Sequence, residues 1–193
     1  MAMYFHDLDE RTRALMLIEF ETEQSSGNPF RTRGLSPEGL TVFPGLVGEA
    51  IRSGNEETLA HSFCNQTYWN PTERYVRDNV PRDRKVNLRQ TSERLGLTEF
   101  NTWYVRGLSK RLIEEGASLC EVYRGAEPKY EVAACSAHEG KIFSVQEVYL
   151  GHRAHYWPEP GDPEALSIPF GYGCHHTIRR VAGAGTAAHT IGV

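Results

Sequence analysis

Apolar residues along this chain recur mostly at the three- and four-residue spacing of helices, and only short stretches alternate as strands do. Leu97, Phe100, Tyr104, Leu108 and Leu112 follow the helical spacing and predict one long helix over about 88–115, roughly 40 Å at 1.5 Å per residue. Gly116 stands where a C-terminal cap belongs. Gly96 and Gly107 each weaken such a helix by about 1 kcal/mol relative to Ala, so close helix contacts or a kink are expected there. Upstream, Asp7-Leu-Asp-Glu10 has the capping-box pattern and predicts a helix to about Gln24, with Leu8, Ala14, Leu15 and Ile18 as its buried stripe. Ser36-Pro37-Glu38 opens a second helix, because Ser caps and Pro loses no helical hydrogen bond at the first position. Leu40, Phe43, Val47, Ala50 and Ile51 form its stripe, Pro44 predicts a kink or break, and Gly54 a stop. A short third helix is expected from Asn55 to about Asn65.

The remaining segments are less periodic. Residues 67–87 carry Pro71, Pro81, aromatics and alternating charges, which predicts an extended arm or packed loop whose Tyr68-Trp69 and Tyr75 dock on the body or on a partner. Cys120-Glu-Val-Tyr-Arg124 and Tyr130-Glu-Val-Ala133 alternate around Gly125 and Pro128, which predicts a β-hairpin. The fold class expected is therefore α+β, one domain over residues 1–182. Within it lie a helical part (1–66), the arm (67–87), the long helix and hairpin (88–134) and an irregular region (135–180). Residues 183–193 are small and uncharged and read as a flexible tail.

Composition narrows the function classes. With 193 residues, a net charge of −4 and 24% charged residues, the chain is of single-domain size and its overall field attracts neither nucleic acid nor an anionic membrane. The basic run Arg74, Arg77, Arg82, Arg84, Lys85 and Arg89 is interleaved with Glu73, Asp78 and Asp83, which reads as a solvated, salt-bridged segment. No apolar stretch approaches the ~20 residues of a membrane span, and the first residues lack the basic and apolar regions of a secretory signal. A cytoplasmic location is expected. Four cysteines in such a chain suggest no disulfide framework; Cys64 and Cys120 have apolar neighbours and read as small core residues.

The chemistry concentrates in the last third. Cys135-Ser-Ala-His138 follows a predicted strand, and Cys174-His175-His176 follows the turn-rich Pro169-Phe-Gly-Tyr-Gly173. Each motif places two metal donors on one turn. Cys135, His138, Cys174 and His176 together make the complement of a closed tetrahedral zinc site, and a closed site points to a structural ion. Zinc would hold the ends of residues 139–173, which have little periodic structure of their own. Buried thiols with metal-free histidines are the other reading, and His175 competes with His176 as ligand, the alternate spacing favouring His176. A cysteine nucleophile with His138 or His175 as base lacks any supporting context. A zinc-containing nuclease of the His-metal type is the alternative function, though without the basic surface that DNA substrates call for. His152 and His155 read as surface residues.

The run Thr98-Glu-Phe-Asn-Thr-Trp-Tyr-Val-Arg106, the hairpin, Cys135-Ser-Ala-His-Glu-Gly-Lys-Ile-Phe143 and Ile168-Pro-Phe-Gly-Tyr-Gly-Cys-His-His176 together resemble the minor head proteins of tailed phages related to the F protein of phage Mu. The resemblance covers about residues 90–180. In that family a Cys-x-x-Cys and a later His-Pro-x-Cys-x-Cys frame the domain; here His138 and His176 stand where second cysteines are expected and Gly171 where the family has a histidine. The N-terminal half is also similar to small virion proteins of actinobacterial phages. What the resemblance implies is a non-catalytic virion component, in several copies or as a homo-oligomer, contacting capsid or portal proteins. DNA contact has no sequence support and no membrane is involved. The aromatic arm at 67–76 and the loop at 149–173, with Tyr149, Tyr156 and Trp157, are the contact surfaces expected.

Overall fold

The computed structural model describes residues 2–78, 80–127 and 136–181, and its fold is α+β, as the periodicity predicts. Helices α1 (Glu10–Gln24), α2 (Pro37–Ser53) and α3 (Glu56–Ser62) surround the long α4 (Leu88–Glu114). Between α3 and α4, a ribbon of β1 (Thr72–Arg77) and β2 (Val80–Lys85) forms a sheet of its own. The second sheet has the order β4-β3-β5, all antiparallel, from β3 (Leu119–Arg124), β4 (Ile142–Ser144) and β5 (His176–Arg180). A short α5 (Val145–Leu150) follows β4 directly. Among the described residues, no helix is long and apolar enough to cross a membrane.

The core forms where α4 meets its neighbours. Phe100, Trp103, Tyr104, Leu108 and Leu112 are essentially inaccessible, and Cys120, Val122 and Ile178 cover them from the sheet side. Burying each large apolar side chain contributes about 1.5–3 kcal/mol. The two glycines of α4 are contact points, with no break in the helix. A Cβ on Gly96 would lie 2.6 Å from Ala60 N in α3, and one on Gly107 would lie 2.7 Å from Met16 N in α1. Gly116 has φ +76° and ends the helix as expected.

Several local expectations are corrected. The N-cap of α1 is Asp9, whose carboxylate accepts from Thr12 N at 2.9 Å, while Asp7 instead accepts from Arg180 N at 3.3 Å and anchors β5. The buried stripe of α1 is Thr12, Leu15, Met16, Glu19 and Phe20; Ile18 faces out. Pro44 leaves α2 a single helix, at the cost of the hydrogen bond that residue 44 would have donated to Leu40 O. Helix α3 ends at Ser62, with Phe63 as its C-cap, and Cys64 is exposed. Residues 67–87 fold as a β-ribbon rooted by a 3-10 turn at Gln66–Tyr68. Of the two dockings expected for Trp69, the one on the body is found: it is 3% exposed and donates from Nε1 to Phe63 O at 2.8 Å. The strand expected at 130–133 lies outside the described residues, and β3 has β4 on one edge and β5 on the other. The 135–180 region is more regular than expected, since it contains β4, α5 and β5.

Gly107→Ala would gain about 1 kcal/mol of helix propensity and lose about 1–3 kcal/mol or more to the overpacked α1 contact. A Tm lower by about 5 °C is expected, with no such loss for Gly45→Ala, whose Cβ would meet nothing within 4 Å. Thermal unfolding followed by circular dichroism checks this, and a stabilised Gly107→Ala protein would contradict the close packing.

Candidate metal centre and the buried ion-pair network

Three of the four predicted donors lie at one end of the three-stranded sheet. A turn closed by Cys174 N donating to Gly171 O at 3.1 Å leads into β5, and Gly173, at φ +79°, takes a conformation few other residues adopt. Helix α4 pins this entry twice: Thr98 Oγ1 accepts from Gly173 N and Asn101 Nδ2 donates to His176 O, both at 2.8 Å. Cys174 Sγ then lies 3.6 Å from His176 Nδ1 and accepts from His176 N at 3.4 Å. Both residues are buried. A tetrahedral ion bound to one sulfur and one imidazole holds them about 3.5 Å apart, given bonds near 2.3 and 2.0 Å. The pair therefore has the spacing of two ligands of one ion.

His138 reaches the same corner from the turn that precedes β4. Gly140 N donates to Val122 O at 2.8 Å, tying this turn to β3. The His138 ring stacks on Phe170 with centroids 4.4 Å apart, and Phe170 is in turn 6.1 Å from the His176 ring. His138 Nδ1 is buried and has no hydrogen-bond partner among the described residues. A buried ring nitrogen without a partner is costly unless something binds it. Cys135 lies outside the described residues. Among the described residues, no three His, Cys, Asp or Glu side chains converge on a single point; Phe170 stands between His138 and the Cys174–His176 pair.

Glu139 and Arg124 complete the corner and were not singled out by sequence. Glu139 Oε2 is 3.4 Å from His176 Nε2 and accepts from Arg124 Nε at 2.9 Å. Burial raises the Glu139 carboxyl, and the Arg124 and His176 contacts outweigh it, so its pKa lies below the ordinary value. At His176, burial pushes the pKa down more than Glu139 restores it, which favours the neutral imidazole that metals bind. A carboxylate on the far nitrogen of a ligating histidine fixes its tautomer. That arrangement directs the His176 Nδ1 lone pair toward Cys174. The adjacency of Glu139 to His138 was the available sequence signal. His175 is tied to the sheet edge by its carbonyl, which accepts from Gly125 N at 2.8 Å, and it lines the same cleft as Cys174 and His176.

A second polar cluster lies behind Phe170. Arg153 is 3% exposed and grips Glu99 of α4 with two contacts, 2.6 and 3.2 Å. It takes φ +55° to do so, a conformation costing roughly 1–2 kcal/mol in a residue with a side chain. Its Nε also lies 3.6 Å from Glu23 of α1, and its guanidinium covers the rings of Phe30 and Trp103. His152, expected at the surface, is enclosed here, with Nε2 3.1 Å from Glu23 and its ring 4.9 Å from Trp103. Its Gly-His-Arg-Ala-His context has no apolar period to reveal this. Burial, offset only in part by Glu23, pushes the His152 pKa down to about 4. Tyr156 and Tyr149, offered as contact residues, are tied inward to Arg153 and to Glu19. A cavity of about 240 Å³ lies between this cluster and Phe170, walled by Phe30, Leu95, Tyr156 and Tyr172.

Compared with family models, with curated proteins and with solved structures, the chain matches none.

The enclosed His152 makes stability depend on pH. Its folded pKa lies below the unfolded value, so the unfolded chain binds more protons between about pH 6.5 and 4 and stability falls as pH drops through that window. Glu23, whose own pKa is lowered against burial by His152 and Arg153, adds a loss in the same direction at lower pH. Urea unfolding at pH 7, 5.5 and 4.5 should show this decline, and His152→Gln should flatten its upper part; an unchanged slope contradicts the enclosure. Glu99→Ala removes the closer of the two carboxylates on buried Arg153, leaving Glu23 at 3.6 Å, and is expected to cost about 3 kcal/mol, measured by the same unfolding curves, while a loss under about 1 kcal/mol would show that Glu23 alone satisfies the guanidinium.

Proposed function

We propose that the chain is a non-catalytic structural component of a tailed-phage virion, a minor head protein in contact with capsid or portal proteins. In this reading one zinc ion, held by Cys135, His138, Cys174 and His176, staples its C-terminal sheet. The observation that carries the staple is the Cys174–His176 pair at ligand spacing, with His138 Nδ1 buried and unpartnered nearby. The virion assignment rests on the resemblance of residues 90–180 to minor head proteins.

The Cys174–His176 corner suits the group, while His138 would join it only if the Phe170 ring moved aside. Cys174 and His176 supply a soft and a borderline donor, Asn101 and Thr98 position the turn that carries them, and Glu139 with Arg124 holds the His176 tautomer. Bound zinc supplies free energy coupled to folding, on the order of 10 kcal/mol in small structural sites. Two cysteines and two histidines make a closed donor set, which favours a structural over a catalytic ion, although Cys174 and His176 also line a cleft of about 940 Å³ beside Arg94 and Arg124.

Native mass spectrometry of the purified protein should report one zinc per chain. Cys174→Ser should lose the metal and the protection of β5 amides from hydrogen exchange while α1, α2 and α4 keep theirs. A metal-free wild-type protein with β5 fully protected would remove the staple. Divalent-metal-dependent DNA cleavage that disappears in His175→Ala without loss of fold would replace the structural reading by the nuclease one.

A further inference from the structure

One side chain keeps His138 from the Cys174–His176 pair. The Phe170 ring stacks on the His138 ring with centroids 4.4 Å apart and lies 6.1 Å from the His176 ring. The chain on either side of Phe170 is held in place. Ser167 Oγ donates to Gly151 O at 2.6 Å, Cys174 N donates to Gly171 O at 3.1 Å, and Gly173 N donates to Thr98 Oγ1 at 2.8 Å. Phe170 itself is only half-buried, between buried Pro169 and exposed Gly171. A rearrangement at this point is therefore one of the side chain, by rotation between staggered wells.

Room for the ring lies beside it. Phe170 forms one wall of the cavity of about 240 Å³, with Leu95, Tyr156 and Pro169 among the others. An apolar cavity of about 150 Å³ takes a benzene molecule, so this one has space for a phenyl ring. Gly171 adjoins Phe170 on the same wall, and a Cβ there would meet nothing within 4 Å. The backbone next to the ring leaves the way open.

We infer that Phe170 is a gate of the metal corner: when zinc binds, its ring swings off His138 into this cavity, and His138 closes on the ion beside Cys174 and His176. The inference rests on the zinc staple proposed above. It adds how donors that do not converge among the described residues come to share one ion. Magnitudes favour the movement. An aromatic stack is worth about two- to tenfold in an equilibrium constant, whereas even a residue that only supports a metal ligand contributes about 10- to 100-fold to affinity. Gaining His138 as a donor outweighs unstacking it. The buried His138 Nδ1, without a hydrogen-bond partner among the described residues, adds to the gain, because an unsatisfied buried nitrogen is costly.

Nuclear magnetic resonance on the full chain, with Phe, His and Leu selectively labelled, tests the movement. After chelation the Phe170 ring should show cross-relaxation with the His138 ring. With one equivalent of zinc that contact should vanish, and contacts with the Leu95 methyls should strengthen. Leu95→Phe, which fills the cavity, should weaken zinc binding by about tenfold or more in competition with a chelator. Leu95→Met, which keeps the side-chain volume, should change it by less than about threefold. Zinc bound with the Phe170–His138 contact intact overturns the gate and leaves the staple standing, as does unchanged affinity in a folded Leu95→Phe protein. Where Leu95→Phe fails to fold, the wild-type spectra decide. A wild-type protein that binds no zinc overturns gate and staple together.

Discussion

The C-terminal half of this molecule depends on one long-range pairing, that of β5 with β3. Arg124 lies opposite His176, so about fifty residues must be closed into a loop before the pairing forms, at a length-dependent entropic cost of about 3 kcal/mol. Ordering the five residues of β5 costs a further ~1–2 kcal/mol each, so ladder hydrogen bonds worth about 1 kcal/mol net each do not offset both. The loop is therefore pinned inside and at its ends. Ile178 seals the sheet against α4, Asp7 and Asn101 hold the β5 backbone, and the Cys174–His176 corner meets the turn that carries His138. Under the proposed staple, a metal at that corner would join both ends of the closed segment at one point.

The interior of the loop has its own anchor. Arg153 inserts between Glu99 and Glu23 and lies against Phe30 and Trp103, so that the segment between α5 and β5 is attached to α4 and α1 together. Ion pairs this deeply enclosed add little stability over an apolar equivalent, yet are expensive to break. Their contribution here is to fix one arrangement of a segment with little regular structure. Phe170 links the two anchors, with one side toward His138 and the other toward the cavity beside Glu99.

What the sequence revealed and what it hid divide along physical lines. The stripe of α4 and its two contact glycines were legible because a 27-residue helix imposes a period on every residue that touches the core, and α2 was legible through Ser36, Pro37 and Gly54. In α1 the buried positions include Thr12 and Glu19, polar residues satisfied by Arg111 and by Arg106 and Tyr149, and no hydropathy pattern marks those. Strand β5 escaped because His-Thr-Ile-Arg-Arg carries a single strongly apolar residue. The donors Cys174 and His176 were legible as a motif, and the structure brings them together; Glu139 and the Arg153–Glu99 pair depend on tertiary proximity between residues 37 and 54 positions apart. Tyr149 and Tyr156 were misplaced for a related reason, since aromatic residues serve surfaces and interiors alike, and Tyr149 reaches Glu19 130 positions away.

X-ray absorption at the zinc edge, on protein purified without added metal, tests the staple most directly because it reports the donors themselves. A four-coordinate shell with sulfur near 2.3 Å and imidazole nitrogen near 2.0 Å, losing one sulfur in Cys174→Ser, is the result this account predicts. A shell of oxygen donors alone, or a spectrum unchanged by Cys174→Ser, would contradict it.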